Sequence, residues 1–66
     1  MQITVNGRTE KVPTGSNLRA LIEQLGLAGT RLAIELNKEI VERDRWSNGQ
    51  LEEDDSVEIV EFVGGG

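Results

Sequence analysis

The sequence predicts an α+β fold in two layers, a mixed sheet with one main helix packed on one face. Three patterns predict it. An Asn6-Gly7 pair separates two short alternating runs near the start, leucines and an isoleucine recur at helical spacing from Leu18 to Leu25, and further strand-like runs follow. A hairpin, one amphipathic helix and a closing strand bury a single core between one sheet and one helix.

Each element has a local cause. Ile3 and Val5 alternate with Gln2, Thr4 and Asn6, and a second extended run covers Thr9 to Val12. Asn-Gly between such runs is a strong hairpin signal, because both residues tolerate the positive φ of a tight turn. Pro13-Thr14-Gly15 breaks the sheet pattern, and Ser16 is the expected helix cap. Leu18, Leu21, Ile22 and Leu25 then form one apolar stripe, with Arg19, Glu23 and Gln24 toward water, until Gly26 ends the helix. Leu32 to Leu36 is expected as a strand, Asn37-Lys38 as a turn and Glu39 to Val41 as a short strand. Arg43 to Gln50 is polar apart from Trp46, which suits a loop with one helical turn, and Leu51 is the apolar anchor of that loop. Ser56 to Phe62 closes the order ββαβββ. One domain is expected over residues 1–63, followed by a flexible glycine tail over 64–66.

Composition narrows the function. A chain of 66 residues hides only about 60% of its unfolded surface, so an elaborate internal active site has no room. There is no Cys and no His, which removes disulfides, thiolate nucleophiles and an imidazole base. Partners must then supply most catalytic groups, and the chain is expected not to be an enzyme. Seven Lys/Arg stand against twelve Asp/Glu, a net charge of −5 that repels nucleic acid and anionic lipid and suits a basic groove on another protein. The start Met1-Gln2-Ile3-Thr4-Val5 lacks the pattern of a signal peptide, and no window approaches a membrane span, so a cytoplasmic location is expected. No bound cofactor and no metal are expected. Glu52-Glu53-Asp54-Asp55 lacks the alternating oxygen spacing of a calcium loop and suits a solvated turn.

The sequence as read ends on Gly64-Gly65-Gly66, after the run Val57 to Val63. Glycine has no Cβ, so such a tip passes a slot too narrow for other residues and carries the α-carboxylate roughly 10 Å outward. No helix follows that would make these glycines a phosphate cradle. In the last strand, if Val57 and Ile59 face the helix, period two sends Glu58, Val60 and Phe62 to the other face. Val60 and Phe62 are therefore the candidate partner-binding residues, unless a bulge after Ile59 turns Val60 inward.

The pattern resembles the β-grasp fold of ubiquitin-like proteins. The segment from Leu32 to Trp46, with its Asn37-x-x-Ile40-Val41-x-Arg43 spacing, is similar to the central signature of the ThiS family of sulfur carriers. The opening Ile3-Thr4-Val5-Asn6-Gly7, the helix and the glycine ending fit as well. Glu42 departs from the family pattern by standing where many relatives have Pro, and Asp54 by standing at a Gly position. The third glycine exceeds the usual two.

The resemblance implies that the first and last strands run parallel at the sheet centre. It also implies a carrier cycle. An E1-like adenylyltransferase of the ThiF type, consuming ATP, activates the Gly66 carboxylate. A persulfide donor then supplies sulfur, and the thiocarboxylate passes it to a thiazole synthase of the ThiG type for thiamine biosynthesis. Related carriers serve molybdopterin synthesis or tRNA thiolation, and a ubiquitin-like protein modifier would use the same activated glycine. Asn37 and Arg43 suit structural roles in the turn and loop more than partner contact, and Trp46 suits cover for the sheet edge. Ser16, with no histidine to activate it, is no nucleophile.

Overall fold

The hairpin forms because Asn6 (φ 50°) and Gly7 (φ 82°) both take the left-handed backbone that a type I′ turn demands. A computed structural model describes residues 1–62, so the expected tail Gly64 to Gly66 and the domain boundary at residue 63 lie outside the described residues. Strands β1 (Gln2–Val5) and β2 (Arg8–Lys11) flank the turn, one residue earlier than expected for the second strand. Val12 still pairs across to Met1: the Val12 N–H donates to the Met1 carbonyl, and the Met1 ammonium donates to the Val12 carbonyl, both at 2.9 Å.

The helix α1 (Leu18–Gln24) corrects one expectation. Its cap is Asn17, whose side-chain oxygen accepts from the Ala20 N–H at 2.8 Å. Ser16 is turned inward instead, its hydroxyl donating to the Pro13 carbonyl at 2.7 Å. At the other end Gly26 takes φ 75°, and the Gly26 and Leu27 N–H groups return to the Glu23 and Ile22 carbonyls. This is the paired bonding that satisfies the last helical carbonyls when glycine follows the cap.

The remaining strands are β3 (Leu32–Leu36), β4 (Glu39–Ile40) and β5 (Ser56–Glu61), with a short 3₁₀ helix over Arg43–Arg45. The sheet order is β2-β1-β5-β3-β4. β1 and β5 run parallel, as the resemblance implied, and the other pairs are antiparallel. One face of the sheet meets α1 through Ile3, Val5, Ile34, Val57 and Ile59, against Leu18, Leu21 and Ile22. Val12, Trp46 and Leu51 complete this core, so the Leu51 anchor is as expected. Each fully buried aliphatic side chain here stabilises the fold by about 1.5 to 3 kcal/mol.

Glu42 caps the 3₁₀ helix with φ −64° and ψ 150°, the backbone a proline ring already imposes. Glu42→Pro should therefore narrow the unfolded ensemble without straining the fold. We expect a gain of about 0.4 to 1 kcal/mol, seen as a raised melting temperature by circular dichroism. A lower melting temperature would show that the preceding Val41 cannot accept the ring.

Candidate docking face and tail root

The strand that leads to the tail is held along both edges. On one side the antiparallel register with β3 runs from Leu36↔Val57 to Leu32↔Glu61, and the Phe62 N–H continues it by donating to the Arg31 carbonyl at 2.9 Å. On the other side β1 pairs only as far as Val5↔Val57. Beyond it the Asn6 side chain takes over: its oxygen accepts from the Ile59 N–H at 2.7 Å and its amide donates to the Ile59 carbonyl at 3.2 Å. The turn residue thus extends the sheet by one bonded pair and fixes the base from which residues 63–66 depart.

This register carries no bulge after Ile59, so alternation holds to the end of the strand. Val57 and Ile59 are buried against the helix, while Val60 and Phe62 are each 56% exposed, as expected for candidate partner contacts. Their cross-strand neighbour Ala33 lies on the same outer face. Sequence reasoning missed a third large apolar residue there. Ile40 is 73% exposed and stands directly opposite Glu35, which in turn stands opposite Glu58. A usable signal existed: Val41 is half-buried and packs on the core, and neighbouring residues of an extended segment point to opposite sides.

The rest of the signature segment is structural. Asn37 (φ 50°) does not bond its own backbone. It reaches across to the turn before β5, its amide donating to Asp55 Oδ1 at 3.1 Å and its oxygen accepting from the Ser56 N–H at 2.9 Å. Trp46 goes deeper than an edge cover, at 3% exposure, and its indole N–H donates to the Val41 carbonyl at 2.9 Å. The Arg43 guanidinium lies 5.6 Å from the centre of that ring, a cation–π contact that straps the loop.

The acidic run is a turn. Asp55 Oδ2 accepts from the Glu52 N–H at 2.8 Å, a Glu53 oxygen accepts from the Gln2 N–H at 3.1 Å, and Asp54 takes φ 69°. Asp tolerates that left-handed backbone better than most residues, so the turn survives without glycine. Among the described residues no helix is long and apolar enough to cross a membrane.

A groove of about 290 Å³ lies between Leu18, Leu36, Val41 and Leu51, rimmed by Arg45 and residues 48–50. It borders Leu36, at the opposite end of β3 from the strand position facing Glu61, so it is remote from the tail root.

The ThiS family model matches residues 1–66. Over all 66 residues the chain is 39% identical to a thiazole synthase of Magnetococcus marinus, and it spans 20% of the length of that relative and of a second thiazole synthase. It is 27% identical to the sulfur carrier protein ThiS of Escherichia coli, with 100% of both chains covered. The crystal structure of the thiamine biosynthesis protein ThiS from Geobacter metallireducens superimposes with a TM-score of 0.83 at 33% identity, again over 100% of both chains. A family match from the first residue to the last, on a β-grasp sheet of the same topology class, places the chain in the ThiS family.

Proposed function

We propose that this chain is a sulfur carrier of thiamine biosynthesis, a substrate handed between larger enzymes, which bears its sulfur as a thiocarboxylate on Gly66. The observation that carries this reading is the family match over residues 1–66, joined by a relative of equal length named a sulfur carrier protein. A carboxylate is a resonance-stabilised anion and a poor electrophile. Adenylation by a ThiF-type enzyme converts one oxygen into a phosphate leaving group, with pyrophosphate released from ATP. A persulfide then attacks the acyl carbon and expels AMP, and a thiol cleaves the resulting acyl disulfide to the thiocarboxylate. The absence of Cys from the chain suits this cycle, since sulfur has only one place to ride.

Thiazole synthase is the proposed recipient, and the cytoplasm the proposed location. Thiazole synthases that contain a stretch similar to this chain favour that recipient over molybdopterin synthesis or tRNA thiolation. Val60 and Phe62 act as the docking patch beside the tail. Residues 63–66 can reach at most about 14 Å past Phe62, so a partner that binds the carboxylate comes close to this patch.

Incubation with the cognate adenylyltransferase, ATP and a persulfide donor should replace one terminal oxygen by sulfur, read by intact mass. An unchanged mass with an active enzyme sinks the proposal. A ladder of heavier adducts on denaturing gels would instead indicate a protein modifier. Phe62→Ala should raise the carrier's KM for adenylation by about 5- to 150-fold, the range for losing a packed anchor. It should leave the melting temperature within a few degrees, and a large fall would place Phe62 in the core.

A further inference from the structure

Four asparagines stand in the chain, and two of them, Asn6 and Asn48, precede glycine. An asparagine carboxamide is open to attack by the next main-chain nitrogen, which makes it one of the heat-labile groups of a protein. A following glycine removes the side chain that would crowd that nitrogen. Both glycines are unobstructed here: a Cβ at Gly7 or Gly49 would meet nothing within 4 Å, and their φ angles, 82° and 72°, are similar. Both asparagines are also exposed. The two sites therefore differ in what holds the carboxamide.

At Asn6, Asn17 and Asn37 both ends of the carboxamide are bonded. Asn6 grips the Ile59 N–H and carbonyl at 2.7 and 3.2 Å, Asn17 the Ala20 N–H and the Ser47 carbonyl at 2.8 and 3.4 Å, and Asn37 the Ser56 N–H and Asp55 Oδ1 at 2.9 and 3.1 Å. Asn48 is different. Its main-chain N–H returns to the Arg45 carbonyl at 3.0 Å, but its carboxamide has no hydrogen-bond partner among the described residues. The loop is tied on either side of it: Arg19 Nε donates to Ser47 Oγ at 3.0 Å, and the Leu51 N–H donates to the Ser16 carbonyl at 2.7 Å. Residues 48–50 span the gap between these ties, on the rim of the groove with Arg45.

We propose that Asn48 is a site of spontaneous modification, deamidating through Gly49 to isoaspartate and aspartate, and that Asn6 is shielded from the same reaction by its grip on Ile59. The Gly49 nitrogen gives up its proton to base and attacks Asn48 Cγ. The bond from Cγ to the side-chain nitrogen breaks, and that nitrogen leaves as ammonia. Water then opens the five-membered imide. Opening at Cγ gives aspartate, and opening at the main-chain carbonyl gives isoaspartate with a free α-carboxylate. The balance is one water taken up and one ammonia released, so no oxidant or reductant is needed. Either product places a new carboxylate on the groove rim shared with Arg45.

At Asn6 the carboxamide must first let go of Ile59. Breaking two such bonds slows the reaction about 5- to 150-fold. The shielding protects the tail root as well, because a carboxylate at position 6 would lose the donor that now reaches the Ile59 carbonyl.

The test holds the full chain in mildly alkaline buffer at physiological temperature for days. Both sites are followed by peptide mapping and by enzymatic methylation of isoaspartate with a labelled methyl donor. In the folded chain Asn48 should convert about 5- to 150-fold faster than Asn6, and its rate should rise with pH. In denaturant, where neither carboxamide is held, the two sites should convert at similar rates. Asn48→Gln should remove most of the methyl-accepting signal of the folded chain without lowering the melting temperature, since the side chain is exposed.

Equal rates at Asn6 and Asn48 in the folded chain would overturn the proposal. So would an Asn48 that is inert in the folded chain yet reactive in denaturant, which would show that the loop holds it away from Gly49. The rates are read on the chain alone, so this result is separate from the success or failure of the carrier reading.

Discussion

Trp46→Ala should remove a large share of the stability of the fold. The ring is 3% exposed within the core cluster, its N–H satisfies the Val41 carbonyl, and Arg43 packs over it. The Trp46 carbonyl also accepts from the Arg19 N–H at 3.1 Å, which ties the loop to the first turn of α1. Removing a buried ring of this size costs about 3 to 5 kcal/mol. A domain of this length commands only about 3 to 10 kcal/mol in total. At about 4 to 8 °C per kcal/mol, the melting temperature should fall by more than about 12 °C. Trp46→Phe keeps most of the bulk but leaves the Val41 carbonyl unpaired, at about 1 to 3 kcal/mol. If Trp46→Ala melts near wild type yet loses partner binding, the residue is a contact and its assigned place in the core is wrong.

Extending the chain by one bulky residue after Gly66 should abolish adenylation altogether. The reacting carboxylate would move off glycine, and a Cβ would enter a slot matched to bare backbone. Stability should not change, since a residue added beyond a terminus contributes little to folding. Removing Gly66 alone is a milder test: Gly64-Gly65 restores a two-glycine ending but shortens the reach by about 3.5 Å. Activity that persists marks Gly66 as surplus, and activity that collapses shows a partner site matched to three glycines. Full adenylation of the extended chain, with no protease present, would falsify the reading that places the chemistry at the tail.

The elements legible in advance are those whose cause is local. Asn6-Gly7 demands positive φ at two successive residues, Gly26 stops a stripe of leucines, and the alternation from Val57 to Phe62 assigns faces as soon as Val57 is known to be buried. The helix cap was not legible, because Ser16 and Asn17 are adjacent and both can accept from a free N–H. The path of the chain after Pro13 decided between them, by turning Ser16 toward the Pro13 carbonyl. The same limit hid the role of Asn37, whose two side-chain bonds go to residues 18 and 19 positions away.

The sequence by itself determined the order of elements, the two-layer architecture and the family, and it offered the outward placement of Val60 and Phe62 that an unbroken register then decided. Order, architecture and family follow from period, turn chemistry and a spaced signature read along the chain. Only the tertiary structure decided that Asn6 bonds Ile59 and so sets the root of the tail. It alone showed that Trp46 is core and that Ile40, Glu35 and Glu58 stand in one row. The physical reason is register. Which residues of β3, β4 and β5 stand side by side depends on how the strands slide when they pair, and packing against α1 settles that slide only when the whole core closes.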